Sequence, residues 1–268
     1  MVRNLIPVLV LAVAPLFAGE GVVLIQKQED LQSGSSATQK MQIEQDKVAL
    51  ETTDGAKRMG FIYLADAGVI RMINHSDQSY REMTEEEIER LMGNVNEQLA
   101  KFQEQMKNMS PQQRQMMEKV MGGRMAKMGA LPGAQIEPVN YRRGDGSTEI
   151  GGRPCDWYDG YRREQMVSQV CSADWSTFDL APSDFAVFQR LAEFITKLAP
   201  QMADQIKFGA EDWEARGGFP GIPLENKTFE NGKAVQVSTL ESVDRQMINE
   251  SVYAAPTDYR LQKGLGGR

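Results

Sequence analysis

The sequence predicts an α+β fold built on antiparallel strands, and three observations predict it. Short runs of alternating apolar and polar residues, divided by Asp, Asn, Gly and Ser clusters, fill much of residues 21–83 and 136–240. Helical periodicity sits in blocks between those runs and does not alternate strand by strand, which argues against a parallel βαβ sheet. The two cysteines, Cys155 and Cys171, flank one strand pair. With 268 residues, 41% hydrophobic and 25% charged, the chain has a globular composition. Collagen-like, low-complexity and wholly disordered classes are excluded.

Residues 1–19 read as an address. Arg3 is followed by the apolar run Leu5–Phe17 and then by Ala18 and Gly19. A basic start, a short apolar run and small residues describe a secretory signal peptide, with cleavage after Ala18 or Gly19. A spanning helix needs about 20 apolar residues, and Pro7 and Pro15 also oppose one. No integral membrane span is expected after cleavage. The full chain carries a net charge of −7, and losing Arg3 makes the mature chain more acidic. Nucleic-acid binding needs a basic stripe, and Arg142–Arg143 and Arg162–Arg163 are isolated pairs. In an oxidising compartment Cys155 and Cys171 are expected to pair.

Strands begin at Val22–Ile25. Met41 and Ile43 form a second strand and Val48 and Leu50 a third, with a turn at Asp46–Lys47. Phe61–Tyr63, a turn at Asp66–Gly68 and Val69–Met72 follow. Asn74–Asp77 is a polar turn in which His75 is expected to be exposed, and Tyr80–Met83 closes the meander. The period then changes. Thr84 and Glu87 form a capping box. Ile88, Leu91, Met92, Val95, Leu99, Phe102, Met106 and Met109 repeat one helical face. Ser110–Pro111 opens a second helix, weakened at Gly122–Gly123.

Strands return at Val139–Tyr141, with a turn expected at Gly144–Gly146 and another strand at Thr148–Ile150. The cysteine hairpin is expected to turn near Asp159–Gly160. Trp157, Tyr158, Tyr161, Trp175 and Phe178 cluster around it. Pro182–Asp184 opens a third helix with Phe185, Phe188, Leu191, Ile195 and Leu198 on one face. Asn231–Gly232 signals a tight hairpin. Ser242–Tyr259 reads as an irregular closing segment. The organisation is a signal peptide at 1–19, one domain at 20–262 with a Met-rich helical insertion at 84–128, and a frayed tail at 263–268.

The run KMQIEQDKVALETT, then GFIYLADAGVIRMINHSDQSYREMT, a Met-rich helix pair around MSPQQRQMMEKVM, the pair in GGRPCDWYDG…VSQVCSAD and the closing YAAPTDYRLQK resemble an exported bacterial family of unknown function. That family is similar in outline to the periplasmic lipoprotein carriers LolA and LolB. The resemblance implies a curved, incompletely closed antiparallel barrel whose concave face is covered by amphipathic helices. No carrier residue maps onto a position here.

Nine of the sixteen methionines lie between Met83 and Met128. Methionine repacks around varied apolar shapes. The segment therefore reads either as plain core packing or as an adaptable cover for an apolar ligand, a lipid or a lipoprotein acyl chain. The candidate ligand-binding residues are Met92, Val95, Leu99, Phe102, Met106, Met117, Val120, Met121, Phe185 and Phe188. The alternative is an envelope-stress or assembly protein that makes protein–protein contacts through these helices. Met117, Met121 and Met125 could align thioethers for Cu(I), but no His or free Cys completes a site. The acids Glu85, Glu86, Glu87 and Glu89 suit the first turn of a helix. No catalytic, metal or cofactor motif is found, and a non-enzymatic binding protein is expected.

Overall fold

The structure is a computed structural model that describes residues 18–87, 89–90, 93, 139–198 and 218–262. The first meander comprises β1 (Ala18–Asp30), β2 (Ser36–Ile43), β3 (Lys47–Asp54), β4 (Lys57–Leu64), β5 (Val69–Asn74) and β6 (Ser79–Thr84). The second comprises β7 (Asn140–Ile150), β8 (Arg153–Arg162), β9 (Gln165–Ala173), β10 (Ile222–Glu230) and β11 (Lys233–Asn249). A short β12 (Arg260–Leu261) follows. One sheet contains all twelve, in the order β12-β6-β5-β4-β3-β2-β1-β11-β10-β9-β8-β7. The sheet is curved and not closed. Every pairing is antiparallel except β12 on β6, which is parallel.

The seam between the meanders is β1 against β11, paired from Ala18↔Asn249 to Asp30↔Gln236 with a bulge after Ile25. Ser242–Tyr259 is therefore not irregular throughout. β11 runs to Asn249, and Val22, Val23 and Leu24 of β1 carry the burial there. The polar residues of β11 at this end ride on an apolar neighbour, so no alternation announces the strand.

Two glycine-containing turn signals have a different meaning in the fold. Gly144–Gly146 is a bulge within β7, where the register passes from Arg143↔Tyr158 to Ser147↔Asp156. Asp159–Gly160 lies inside β8, and the hairpin turns at Arg163–Glu164. Gly160 is glycine because a Cβ there would come within 2.8 Å of the Tyr141 ring and the Val139 methyl. A glycine in a strand interior marks such a close approach. Asn231–Gly232, by contrast, is the expected two-residue turn, with φ of 51° and 76°. Both values are positive, which matches the twist of the flanking strands.

The capping box is present: the Glu87 N–H donates to Thr84 Oγ1 at 3.2 Å, and the Thr84 N–H donates to Glu87 Oε2 at 3.3 Å. The expected helical face beyond it, from Met92 to Met128, lies outside the described residues. A 3₁₀ turn at Pro182–Phe185 leads into α1 (Ala186–Leu198). The Ala181 N–H donates to Asp184 Oδ2 at its start.

The core has two parts. Val22, Leu24, Ile43, Val48, Tyr63 and Ile70 pack with Phe185, Val187, Phe188, Leu191 and Phe194 of the helical segment. The neighbours Val23, Ala49, Ile62 and Ile73 point the other way and pack with Ile248 and Tyr253. This alternation follows from the two-residue period of a strand. The C-terminal segment serves as the cover on the second side. The Arg71 guanidinium donates to the Tyr253 carbonyl at 2.7 Å, and the Arg260 N–H donates to the Gln78 carbonyl.

Candidate functional site: an apolar sheet face beside a crossing helix

The register places side chains of the first meander in lateral rows. One row runs Val22–Ile43–Val48–Tyr63–Ile70 across β1 to β5. All five are buried. At one end Arg245, paired with Val22, bonds Asp184 at 2.6 Å and the Asp179 carbonyl at 3.2 Å. At the other end the Tyr63 hydroxyl donates to the Arg190 carbonyl at 3.3 Å, and its ring lies 5.5 Å from that of Phe194. The segment from Asp179 through α1 therefore crosses the strands from β11 to β4. Four strand spacings of about 4.8 Å make roughly 19 Å, and thirteen residues of helix make about 20 Å.

The next row on the same face is Val243–Leu24–Met41–Leu50–Phe61–Met72, spanning β11 to β5. Leu24 is buried, Met41, Leu50 and Phe61 are half-buried, and Met72 is 44% exposed. Beyond it lies a polar row, Gln26–Gln39–Thr52, that ends in the exposed Met59. The second row is thus an apolar strip between a helix and a polar border, about 24 Å long over five strand spacings. Arg81 is paired with Met72 at its β6 end and donates to the Gln262 side-chain oxygen at 3.0 Å.

Charge trims the helix edge. Arg190 bonds Asp66 at 2.6 Å in the β4–β5 turn, and the guanidinium holds the Asp66 carboxyl below its usual range. Asp66 is 71% exposed, so the pair orients α1 more than it stabilises it. Burial raises the Tyr63 phenol, which stays neutral.

Of the expected ligand residues, Phe185 and Phe188 are both buried in the core beneath α1, with ring centroids 6.4 Å apart. Trp175 joins them at 5.2 Å from Phe185. Met92, Val95, Leu99, Phe102, Met106, Met117, Val120 and Met121 lie outside the described residues, as does the thioether triplet Met117, Met121 and Met125. Cys155 and Cys171 form the expected disulfide, with a Cα separation of 5.4 Å. Their positions are diagonal across β8 and β9, because Trp157 is the residue directly opposite Cys171.

His75 is not the exposed turn residue that the sequence suggests. Its side chain is 18% exposed, and Nδ1 lies 2.9 Å from the Tyr259 hydroxyl. Burial and the neighbouring Arg58 lower its pKa. Among the described residues no group of three or more His, Cys, Asp and Glu side chains is placed to hold a metal ion. No helix among them is long and apolar enough to cross a membrane. The second row itself escapes sequence reasoning, because it is defined by register between strands and not by any local pattern.

No protein-family model and no curated protein matches the sequence. Among solved structures, an uncharacterized conserved protein from Thermus thermophilus is similar at 7% identity and a TM-score of 0.46, over 90% of each chain. A chain of the Pseudomonas aeruginosa MucA/MucB complex is similar at 12% identity and a TM-score of 0.38, over 90% of this chain and 57% of that one. PNGF-II is similar at 7% identity and a TM-score of 0.37, over 92% of this chain and 32% of that one. The chain thus spans just over half of the MucA/MucB chain and about a third of PNGF-II.

Proposed function

We propose that the protein is an exported, non-enzymatic binding protein for an apolar ligand, a lipid or the acyl chain of a lipoprotein. The supporting observation is the strip Val243–Leu24–Met41–Leu50–Phe61–Met72 at the margin of α1. One leaflet of a bilayer core is about 15 Å deep, so a strip of about 24 Å accommodates an acyl chain of membrane length. Ten methylenes moved from water contribute about 8 kcal/mol. Association costs about 4–15 kcal/mol, so the strip alone gives weak binding and a second apolar surface must close over the chain. In this reading the Met-rich segment 84–128 supplies that surface, and Phe185 and Phe188 become ligand contacts when α1 shifts. The disulfide fits the export that residues 1–19 suggest. The exposed methionines Met59, Met72 and Met247 also suit the alternative of a protein partner, since thioether chains adapt to varied surfaces.

The test is displacement of a fluorescent fatty acid from the purified mature protein. Wild type is expected to bind, and Met41→Glu and Met72→Glu each to weaken binding about tenfold, the effect of losing roughly two methylene contacts. A folded wild type that takes up no fatty acid, with lipid absent from its solvent extract, overturns the reading.

A further inference from the structure

On the opposite side of the sheet, a largely buried carboxylate lacks a close cation. Glu44 follows β2, and its side chain is 11% exposed. Its Oε1 and the hydroxyl of Tyr253, a residue only 2% exposed, make no hydrogen bond of good geometry among the described residues, although the two groups face each other closely enough to interact. Burial raises the Glu44 carboxyl above its usual range, and burial together with that carboxylate raises the Tyr253 phenol. The charged neighbours do not satisfy Glu44. Lys47 Nζ is 3.9 Å away and bonds Glu250 at 2.8 Å instead, while Glu250 and Asp46 add negative charge. A buried ion without a close partner is costly, so the site lacks a cation.

The backbone beneath Glu44 is the start of β1. A Cβ on Gly19 would collide with Glu44 Oε2, and one on Gly21 would meet the Ile43 carbonyl and, at 3.1 Å, Glu44 Cγ. The Gly19–Glu20–Gly21 sequence therefore clears a track along which the Glu44 side chain lies. Its carboxylate lies where a side chain on Gly19 would stand. Gly19 is also where the leader-like segment ends.

We infer that signal cleavage falls between Ala18 and Gly19, and that the α-ammonium it creates on Gly19 is the missing partner of Glu44. Hydrolysis of the Ala18–Gly19 peptide bond consumes one water, leaves a carboxylate on Ala18 and frees an amine on Gly19 that is protonated at neutral pH. Before cleavage that nitrogen is a neutral amide, and the nearest cation to Glu44 is Lys47 at 3.9 Å. After cleavage an ion pair locks the first residue of β1 onto the end of β2. The device couples maturation to stability, and it rests on the export reading above.

The experiment expresses the full chain with its own leader and determines the N-terminus of the exported protein by intact mass. The pH dependence of α-amine labelling by acetic anhydride is then measured on wild type and Glu44→Gln. The expected result is an N-terminal Gly19 whose amine titrates at least one unit above the usual value of about 7.7–8.0. Labelling at neutral pH is then at least tenfold slower than for an exposed α-amine, and Glu44→Gln restores the ordinary titration. An N-terminal Gly19 with an ordinary amine overturns the ion pair and leaves export standing, as does cleavage at any other bond. Retention of the leader overturns the export reading and the inference together. Should Glu44→Gln fail to fold, the titration of the wild-type amine decides alone.

Discussion

The disulfide is the covalent link whose removal has the most calculable effect. Cys155 and Cys171 are 4% and 0% exposed, with a sequence separation of 16. A closed loop of this size removes about 3 kcal/mol of entropy from the unfolded chain in the loop-closure model. Because β8 and β9 remain paired without it, the native ladder survives and the loss falls mainly on the unfolded state. Replacing both residues by Ala is therefore expected to cost about 3 kcal/mol, with a further ~1 kcal/mol for packing lost in the buried cluster they belong to. A chain of this size shifts by roughly 2–4 °C per kcal/mol, so Tm should fall by roughly 8–16 °C. The assay is urea and thermal unfolding of wild type and the double Ala variant, each with and without reductant. Reductant should leave native wild type unaffected below the transition, because the sulfurs are buried, and should lower its midpoint once unfolding exposes them. A variant with an unchanged midpoint would refute the reasoning, since it would mean that the loop is already closed in the unfolded ensemble.

Two further outcomes follow from buried contacts. His75 is the single histidine, so one NMR resonance reports its titration. Its folded pKa is expected below the ordinary 6.5, and for a base depressed by folding the stabilisation is full above pH 6.5 and lost as pH falls through the folded pKa. A titration at or above 6.5, or a His75→Gln variant with unchanged acid sensitivity, contradicts the burial. Gly160→Ala places a Cβ 2.8 Å from Tyr141 and Val139 and is expected to cost about 1–3 kcal/mol by overpacking. Unfolding in urea checks it, and a neutral substitution would show that β7 can move away from β8.

What can be read from the sequence is what neighbouring residues determine among themselves. Asn231–Gly232 and Thr84 with Glu87 are such features, since turn dihedrals and caps involve only a few residues. The strands of the first meander are equally visible, because Val48 and Leu50, then Phe61 and Tyr63, recur at the two-residue period of a strand between polar turns. Gly160 misleads because Asp–Gly is a turn signal whose meaning here is set by Tyr141, a residue of the neighbouring strand β7. Phe194, deeply buried against Tyr63, is passed over by a sequence reading that selects Ile195, only half-buried. One step along a helix rotates the face by about 100°, so the choice depends on where the sheet lies. The candidate strip is invisible for the strongest version of this reason: Met41, Leu50, Phe61 and Met72 come from four strands and share nothing until the register aligns them.

The crossing helix also explains why such a strip must exist. Same-face residues along a strand are about 6.7 Å apart, and a helix with its side chains is about 10–12 Å across. A helix lying along one row therefore shields that row fully and reaches only part of the next. On the other face the segment from Glu250 to Gln262 approaches β3 to β6 through Tyr253, Tyr259 and Gln262, so backbone and aromatic rings complete the covering there. The α1 side has no such second layer among its described residues. Widening the helix footprint by side-chain size discriminates between a strip left over from imperfect packing and one kept open for a ligand. Ala192, half-buried on α1, is one position from Leu191, and enlarging it to Leu adds three carbons at the helix margin. If the strip is residual packing space, the added burial stabilises the fold by about 1–2 kcal/mol and fatty-acid uptake is absent before and after. If it is a binding strip, Ala192→Leu raises stability by a similar amount while uptake falls. Opposed changes in stability and binding mark a surface held open for use.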